Sequence, residues 1–272
     1  MSAQLRVLKA HAYGNDFLFV EDGAIQAVAA NEDVAAVARR LCARHAGIGA
    51  DGLILYDLRD RAASMRLFNA DGSASELSGN GLRCLASVVV REQNLRAGTT
   101  VTVDTDAGVM RLDLLAREQG RDTFRAALGQ PQDIQQVSIA LGDETLRATV
   151  LRMGNPQCVV IGALPDPETF GRLGPLLATH AMFPAGTNVE FAHVETPGRV
   201  RILIWERGVG PTTSSGTGAC ASAVAAAAHG GAAREVDIVA PGGTQRVEWL
   251  SDGVYLTGWA EIVLDGEWLL KT

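Results

Sequence analysis

The chain has 272 residues, 47% of them apolar and 20% charged, enough for one large domain or two ordinary ones with a substantial core. Its net charge of −7 argues against non-specific binding to nucleic acid or to an anionic membrane. The start MSAQLRVLKAHAYGNDF has no apolar h-region, and no apolar run reaches about 18 residues, so neither a signal peptide nor a transmembrane helix is expected. Four cysteines (Cys42, Cys84, Cys158, Cys220) are widely spaced with no CxxC, which speaks against a zinc site or a dense disulfide framework and fits a reducing cytoplasm.

In chain order, short β-branched or alternating runs predict strands at LRVLKAHA (5–12) and DFLFVE (16–21). A helix follows over NEDVAAVARRLCARHA (31–46), with Val34, Val37, Ala38 and Leu41 on one face and an Asn-x-Asp start. Strands GLILYDL (52–58) and SMRLFNA (64–70) lead to a helix at GLRCLASVVVREQ (81–93). Strands TVTVDTD (100–106), GVMRLDLLA (108–116), ATVLRMG (148–154) and QCVVIGA (157–163) come next, then a helix at PETFGRLGPLLATH (167–180). NVEFAHVE (188–195) and RVRILIWE (199–206) precede a last helix, GACASAVAAAAHG (218–230). REVDIVAP, QRVEWLS, GVYLTGW and AEIVLDGEW complete the strands. The helices at 81–93 and 218–230 are apolar nearly all round, as a helix enclosed by a sheet should be.

A repeat is hidden in the spacing. SELSGNGLRC (75–84) and TSSGTGAC (213–220) both carry SG-x-G, and their serines lie 137 residues apart. Gly14-Asn15 and Gly154-Asn155 are 140 apart, and Ala46-Gly47 and Ala185-Gly186 are 139 apart. Asn69 and Glu206 each stand nine residues before the serine of their segment. Four pairs in one order at near-constant offset predict two related lobes of about 130 residues. The expected architecture is α+β: two pseudosymmetric lobes, each a barrel-like, mostly antiparallel sheet around a central helix. The lobes are placed at 1–120, completed by the C-terminal strand 262–272, and at 121–261.

A glycine-flanked turn that opens a helix presents free N–H groups and the positive end of the helix dipole, a ready anion site. A serine there is also a common N-cap, and needs no further role. Two such turns at matched positions in a duplicated chain point beyond capping, to two groups able to hold one carboxylate across a cleft. The trailing Cys84 and Cys220 lie six and five residues past the serines, well into the helices, and are expected to be core residues.

The ordered set KAHAYGNDF, RHAGIGADG, FNADGSASELSGNGLRC, MGNPQC, FPAGTNVEF, ERGVGPTTSSGTGACAS and TGWAEIVLDGEW resembles diaminopimelate epimerase, in the fold family that also holds proline racemase. The resemblance spans nearly the whole chain. It implies inversion at an amino acid α-carbon without pyridoxal phosphate, metal or other cofactor. The reaction implied is LL- to meso-diaminopimelate, in lysine and peptidoglycan precursor synthesis. In that family one cysteine takes the α-proton from one face and a second donates from the other; Ser78 and Ser215 occupy these positions here. The resemblance also implies substrate contacts from Asn15, Asn69, Asn155 and Asn188. It assigns Glu206 and Arg207 to the distal end of the substrate, and Gly79, Asn80, Gly216 and Thr217 to the two anion turns. A small amino acid as partner, a homodimer and a cytoplasmic setting are expected, with no nucleic acid or membrane.

The chain departs from that pattern at four kinds of position. Serine replaces both cysteines, Gln157 stands for a histidine, Pro211 for a glutamate and Trp259 for a proline. An alkyl hydroxyl is a far weaker acid than a thiol and needs a base beside it. His11 and His45 lie on motif segments and are the candidate bases; His180, His193 and His229 look like surface or loop positions. Three readings fit: an epimerase or racemase that uses serines or whose acid–base work has moved to other residues, an engineered cysteine-to-serine pair, or a divergent member that binds an amino acid without racemising it or runs a dehydratase or lyase reaction. Gln157, Pro211 and Trp259 are changes an engineered pair would not need. The complete set of asparagines, with Glu206 and Arg207, favours retention of a similar ligand.

Overall fold

The computed structural model describes residues 4–28, 33–75, 78–106 and 108–269. It divides into two compact units, Met1–Ala126 with Gly258–Thr272, and Ala127–Thr257.

The first unit contains β1 (Gln4–Ala12), β2 (Asn15–Glu21), α1 (Asp22–Val28), α2 (Val34–Cys42), β3 (Gly52–Arg59), β4 (Ala62–Asn69), the two-residue β5 (Ala74–Ser75), α3 (Gly79–Glu92), β6 (Thr100–Thr105), β7 (Gly108–Glu118) and β8 (Arg121–Ala127). The second contains β9 (Gln132–Leu141), β10 (Glu144–Met153), β11 (Asn155–Ile161), α4 (Pro167–Ala178), β12 (Asn188–Thr196), β13 (Arg199–Glu206), β14 (Gly210–Thr212), α5 (Gly216–Ala225), β15 (Glu235–Ala240) and β16 (Gly243–Leu250). Strand β17 (Gly253–Leu269) starts in the second unit and ends in the first.

Pairing within the first unit runs β1–β2 antiparallel, β2–β3 parallel, β3–β4 antiparallel, β4–β6 parallel, then β6–β7 and β7–β8 antiparallel. The late part of β17 pairs with β8 and with β1, so the sheet closes on itself and leaves no edge. The second unit repeats the order. β10–β11 is antiparallel, β11–β12 parallel, β12–β13 antiparallel, β13–β15 parallel, and β15–β16 and β16–β17 antiparallel. β9 flanks β10, and Val254 of β17 exchanges backbone hydrogen bonds with Leu128 and Gly129 just ahead of β9. Each lobe is thus mostly antiparallel with two parallel pairs.

Each barrel is filled by its own helix. Leu82, Cys84, Leu85, Ala86, Val88, Val89 and Val90 of α3 are buried with Phe17, Phe19, Ile54 and Tyr56 from the strands around them. In the second lobe Ala219, Cys220, Ala221, Ala223, Val224 and Ala225 of α5 pack against Val159, Ala192, Ile202 and Ile204. Fully burying a Val or Leu side chain stabilises by about 1.5–3 kcal/mol, so a helix apolar all round is held by the sheet rather than by propensity. The other face of the sheet is also covered. Leu53 and Leu55 of β3 meet Val37, Ala38 and Leu41 of α2, and Val189 and Phe191 of β12 meet Leu173 and Leu177 of α4.

The expected elements are present; the short strands β5 and β14 lie outside the expected set, and four further differences stand out. Strands β8 and β9 had no clear sequence signal, because RDTFRAA and QDIQQVSIAL keep much of their surface polar and exposed. Short helix α1 lies outside the expected set. GVYLTGW and AEIVLDGEW form one 17-residue strand rather than two. The helix expected over 31–46 is described from Val34 to Cys42, capped by Asp33, whose side chain accepts the Ala35 N–H; Asn31 of the expected start lies outside the described residues.

Candidate active site

Both SG-x-G segments fold into a capped helix start. Ser78 and Ser215 are the N-caps of α3 and α5, with extended backbone at φ −129° and −139°. The Ser78 Oγ accepts the Gly81 N–H at 3.1 Å, and the Ser215 Oγ accepts the Gly218 N–H at 3.2 Å. One orphan donor of each helix is thereby satisfied, and the remaining first-turn N–H groups stay available for an anion. The two hydroxyls occupy equivalent places in their lobes, as the sequence spacing requires.

In the first lobe, Asn15 and Asn80 are brought together. Asn80, 3% exposed, donates from Nδ2 to the Asn15 Oδ1 at 3.1 Å, and its own Oδ1 accepts from the Arg83 guanidinium. Arg83 is itself buried on α3, with its guanidinium 5.8 Å from the Tyr13 ring. Asn15 Nδ2 donates to Asp51 at 2.7 Å, and Asp51 also takes the Asp16 N–H and the Arg44 guanidinium. Asp16 in turn accepts from Arg44 at 2.9 Å and pairs with Lys9 at 2.9 Å. Burial alone would raise the Asp16 carboxyl, but hydrogen bonds from Arg44 and Lys9 outweigh it and hold it below its ordinary value. The Asn15 carboxamide is therefore fixed at both ends. Asn69 is separate from this group. It is exposed at the end of β4, and its amide donates to the Ser73 Oγ at 2.9 Å.

In the second lobe, Asn155, Gln157, Asn188 and Thr217 meet. The orientation of the Gln157 amide that satisfies both its ends puts its nitrogen 3.0 Å from the Glu190 Oε1. Its oxygen then accepts from the Asn188 Nδ2 and the Thr217 Oγ1, each at 3.3 Å. The Asn155 carboxamide lies against the same amide. The Asn188 Oδ1 accepts the Arg207 backbone N–H at 2.9 Å, which ties it to the Glu206-Arg207 corner after β13. The Arg207 guanidinium, exposed, donates to the Ala185 carbonyl at 2.9 Å. A cavity of about 350 Å³ lies beside it, lined by Trp205, Phe183, Gly186 and Arg207.

The two candidate bases stand in different surroundings. His11 is half-buried, accepts the Gly14 N–H at Nδ1 and packs edge-on against Trp259. His45 is exposed in the turn after α2. None of the four cysteines is in a disulfide, and all are buried. Burial pushes the Cys84 thiol up to about 12, which removes it from acid–base work near neutral pH. Sequence reasoning had no role for Asp51, Arg44, Arg83 or Glu190. Asp51 and Arg44 sat in the quoted RHAGIGADG stretch, and their charges were the available signal. Among the described residues no cluster of histidine, cysteine and carboxylate side chains is fit to hold a metal ion, and no helix is long and apolar enough to cross a membrane.

The fold is shared with a hydroxyproline epimerase from Agrobacterium vitis, with a TM-score of 0.74 at 17% identity, covering 100% of this chain and 95% of that one. Two related lobes, each a mostly antiparallel sheet wrapped around a central helix, make up that fold here. A family profile described as diaminopimelate epimerase matches residues 7–132 and 149–263. Diaminopimelate epimerase of Desulforudis audaxviator is 43% identical over 279 residues, covering 96% of this chain and 98% of the relative; that of Desulfitobacterium hafniense is 39% identical over 279 residues, covering 96% and 97%. The chain belongs to the diaminopimelate epimerase family and is an isomerase acting on a small amino acid.

Proposed function

We propose that this protein inverts the α-carbon of diaminopimelate, LL to meso, without a cofactor, in lysine and peptidoglycan precursor synthesis. The observation that supports it most is similarity at 43% identity over 96% of the chain. In this reading Ser78 and Ser215 serve opposite faces of the α-carbon. One of them, as the alkoxide left once a neighbouring base has taken its hydroxyl proton, removes the α-proton, and the electron pair this leaves spreads into the substrate carboxylate. N–H groups of Gly79, Asn80, Gly216 and Thr217 meet that growing charge at the two helix starts, where preorganised donors contribute most. The other serine then gives its hydroxyl proton to the opposite face. Asn15, Asn69, Asn155 and Asn188 hold the amino and carboxyl groups, and Glu206 and Arg207 hold the distal amino acid centre. A homodimer in the cytoplasm, without nucleic-acid or membrane partners, belongs to the same reading.

A second reading is favoured by one feature, the two hydroxyls in place of thiols. A member that binds the amino acid without inverting it, or eliminates from one face only, needs less of its acid–base pair. Loss of the α-proton signal in deuterated water, followed by NMR with LL- and meso-diaminopimelate, separates the two. Exchange with interconversion supports the epimerase; tight binding without exchange sinks it.

A further inference from the structure

The two lobes provide an internal control for one buried group. Gly81 and Gly218 each stand three residues after the capping serine. A Cβ on Gly81 would lie 2.9 Å from the Ile54 Cδ1, 3.3 Å from the Ser78 Cβ and 3.5 Å from the Phe17 ring. A Cβ on Gly218 would lie 2.6 Å from the Glu190 Oε1 and 3.2 Å from the Ser215 Cβ. The registers agree. Phe17 pairs with Gly52, two residues before Ile54, and Gln157 pairs with Asn188, two residues before Glu190. Where the first lobe puts Phe17 and Ile54 beneath its helix start, the second puts Gln157 and Glu190.

All four side chains are buried, at 4% and 0% exposure for Phe17 and Ile54 and 1% and 0% for Gln157 and Glu190. Packing alone is therefore met by an apolar pair. A buried carboxyl is unfavourable unless it is hydrogen-bonded, so its presence in one lobe calls for a reason outside packing. Burial, and after it the like charge of Glu206, pushes the Glu190 carboxyl well above its ordinary value. It takes the Gln157 amide nitrogen at 3.0 and 3.3 Å, and that leaves the Gln157 oxygen facing Asn188 and Thr217.

We propose that Glu190 is a positioning residue: by holding the Gln157 amide it fixes the Asn188 carboxamide and the Thr217 hydroxyl, and through Asn188 the Arg207 corner, in the arrangement that meets the ligand. This rests on the reading of Asn188, Thr217 and Arg207 as substrate-binding. The polar line from Glu190 to Arg207 belongs to the second lobe only. The first lobe fixes Asn15 instead from the surface side, through Asp51 and Arg44.

The test gives the second lobe the pair used by the first, Gln157→Phe with Glu190→Ile, beside the conservative Glu190→Gln. The double variant should fold with an unchanged or raised melting temperature, yet bind meso-diaminopimelate about tenfold more weakly or worse, as expected on loss of buried hydrogen-bond partners. Glu190→Gln keeps an oxygen that accepts the Gln157 amide, and should stay within about threefold of wild type in KM and kcat, well inside the tenfold that one lost partner produces. A double variant that binds and exchanges like wild type, or a Glu190→Gln variant as damaged as the double, overturns the proposal. Should the double variant not fold, NMR of the wild-type protein decides. The Gln157 side-chain amide protons should be protected from solvent exchange, and exchange at the rate of exposed amides overturns the proposal. That measurement needs no ligand, so failure of wild type to bind diaminopimelate would count against the substrate reading alone.

Discussion

Restoring thiols at both caps should raise α-proton exchange, and the structure sets the scale. In the double variant Ser78→Cys with Ser215→Cys, each new sulfur takes over an N-cap whose oxygen now accepts one N–H, from Gly81 or from Gly218. Losing an N-cap acceptor costs about 1 kcal/mol per helix, and a neutral thiol is a poor substitute. A thiolate in the same place regains about 1 kcal/mol or somewhat more from the helix terminus, which lowers the thiol pKa by about one unit from ~8.5. The thiolate fraction at pH 7 then rises from ~3% to about a quarter. Serine has no comparable fraction. Positioned acid–base groups contribute at least about 10²-fold, so exchange of the α-proton of LL- and meso-diaminopimelate should rise by that factor or more. Each single variant should gain less, because one face would still lack its acid or base. The assay is proton NMR in deuterated water at matched folded fraction. If wild type already exchanges the proton and the thiols leave that rate unchanged or slow it, the serines are themselves the evolved acid–base groups and the thiol argument fails; if neither form exchanges it, the epimerase reading fails.

Further outcomes follow from the same geometry. Arg207→Ala should weaken binding of meso-diaminopimelate by about 1.5–3 kcal/mol, the range for charge-assisted hydrogen bonds, and affect an amino acid without a distal carboxylate much less; calorimetry showing equal losses would remove Arg207 from that role. Gly218→Ala should destabilise by about 1–2 kcal/mol in urea titration, because its Cβ meets a Glu190 oxygen that cannot swing away without leaving Gln157, and overpacking outweighs the helix gain. Gly81→Ala should be near neutral, since the end of the flexible Ile54 side chain can yield; a reversed order would mean the two helix starts are not packed as described. The folded-state carboxyl of Glu190 is raised, so its contribution is full below the ordinary glutamate range of about 4.3 and is lost as pH rises through the folded value. Asp16 is lowered, so its contribution is present above about 3.9 and lost as pH falls. Glu190→Gln should flatten the decline of the urea midpoint as pH rises above about 4.3 and leave the acid limb to Asp16; an unchanged slope there would contradict the raised carboxyl.

Much of this architecture is written in spacing. The SG-x-G pair, the Gly-Asn pair and the Asn69 and Glu206 positions locate both lobes before any element is assigned, because duplicated turns must keep their distance from the strands that hold them. The turns themselves are legible since a serine before a glycine-rich helix start has few local alternatives. Strands such as QDIQQVSIAL are harder, because an exposed face shows the same polar residues as a loop. Arg83 is hidden for the opposite reason: on an otherwise apolar helix it reads as an exposed charge, whereas it is 1% exposed and bound to Asn80.

Glu190 shows where alternation stops being informative. In NVEFAHVE, Val189 and Phe191 predict one buried face, and Glu190 between them predicts an open one. That inference holds for a sheet with one wet side. Here Val189 and Phe191 face α4, while the alternate positions, Asn188, Glu190 and Ala192, are buried as well, with Ala192 against α5 inside the barrel. A strand covered on both sides makes every residue internal, so a polar residue on it signals a hydrogen-bonded partner rather than solvent. The corresponding strand of the first lobe has the same double cover, with Leu53 and Leu55 outward and Ile54 and Tyr56 inward, and carries no charge over these four residues. At the inward position beneath the helix start the first strand has Ile54 and the second has Glu190. Duplication supplied two equal barrels, and the difference between them marks the point at which one barrel took on a task that the other did not.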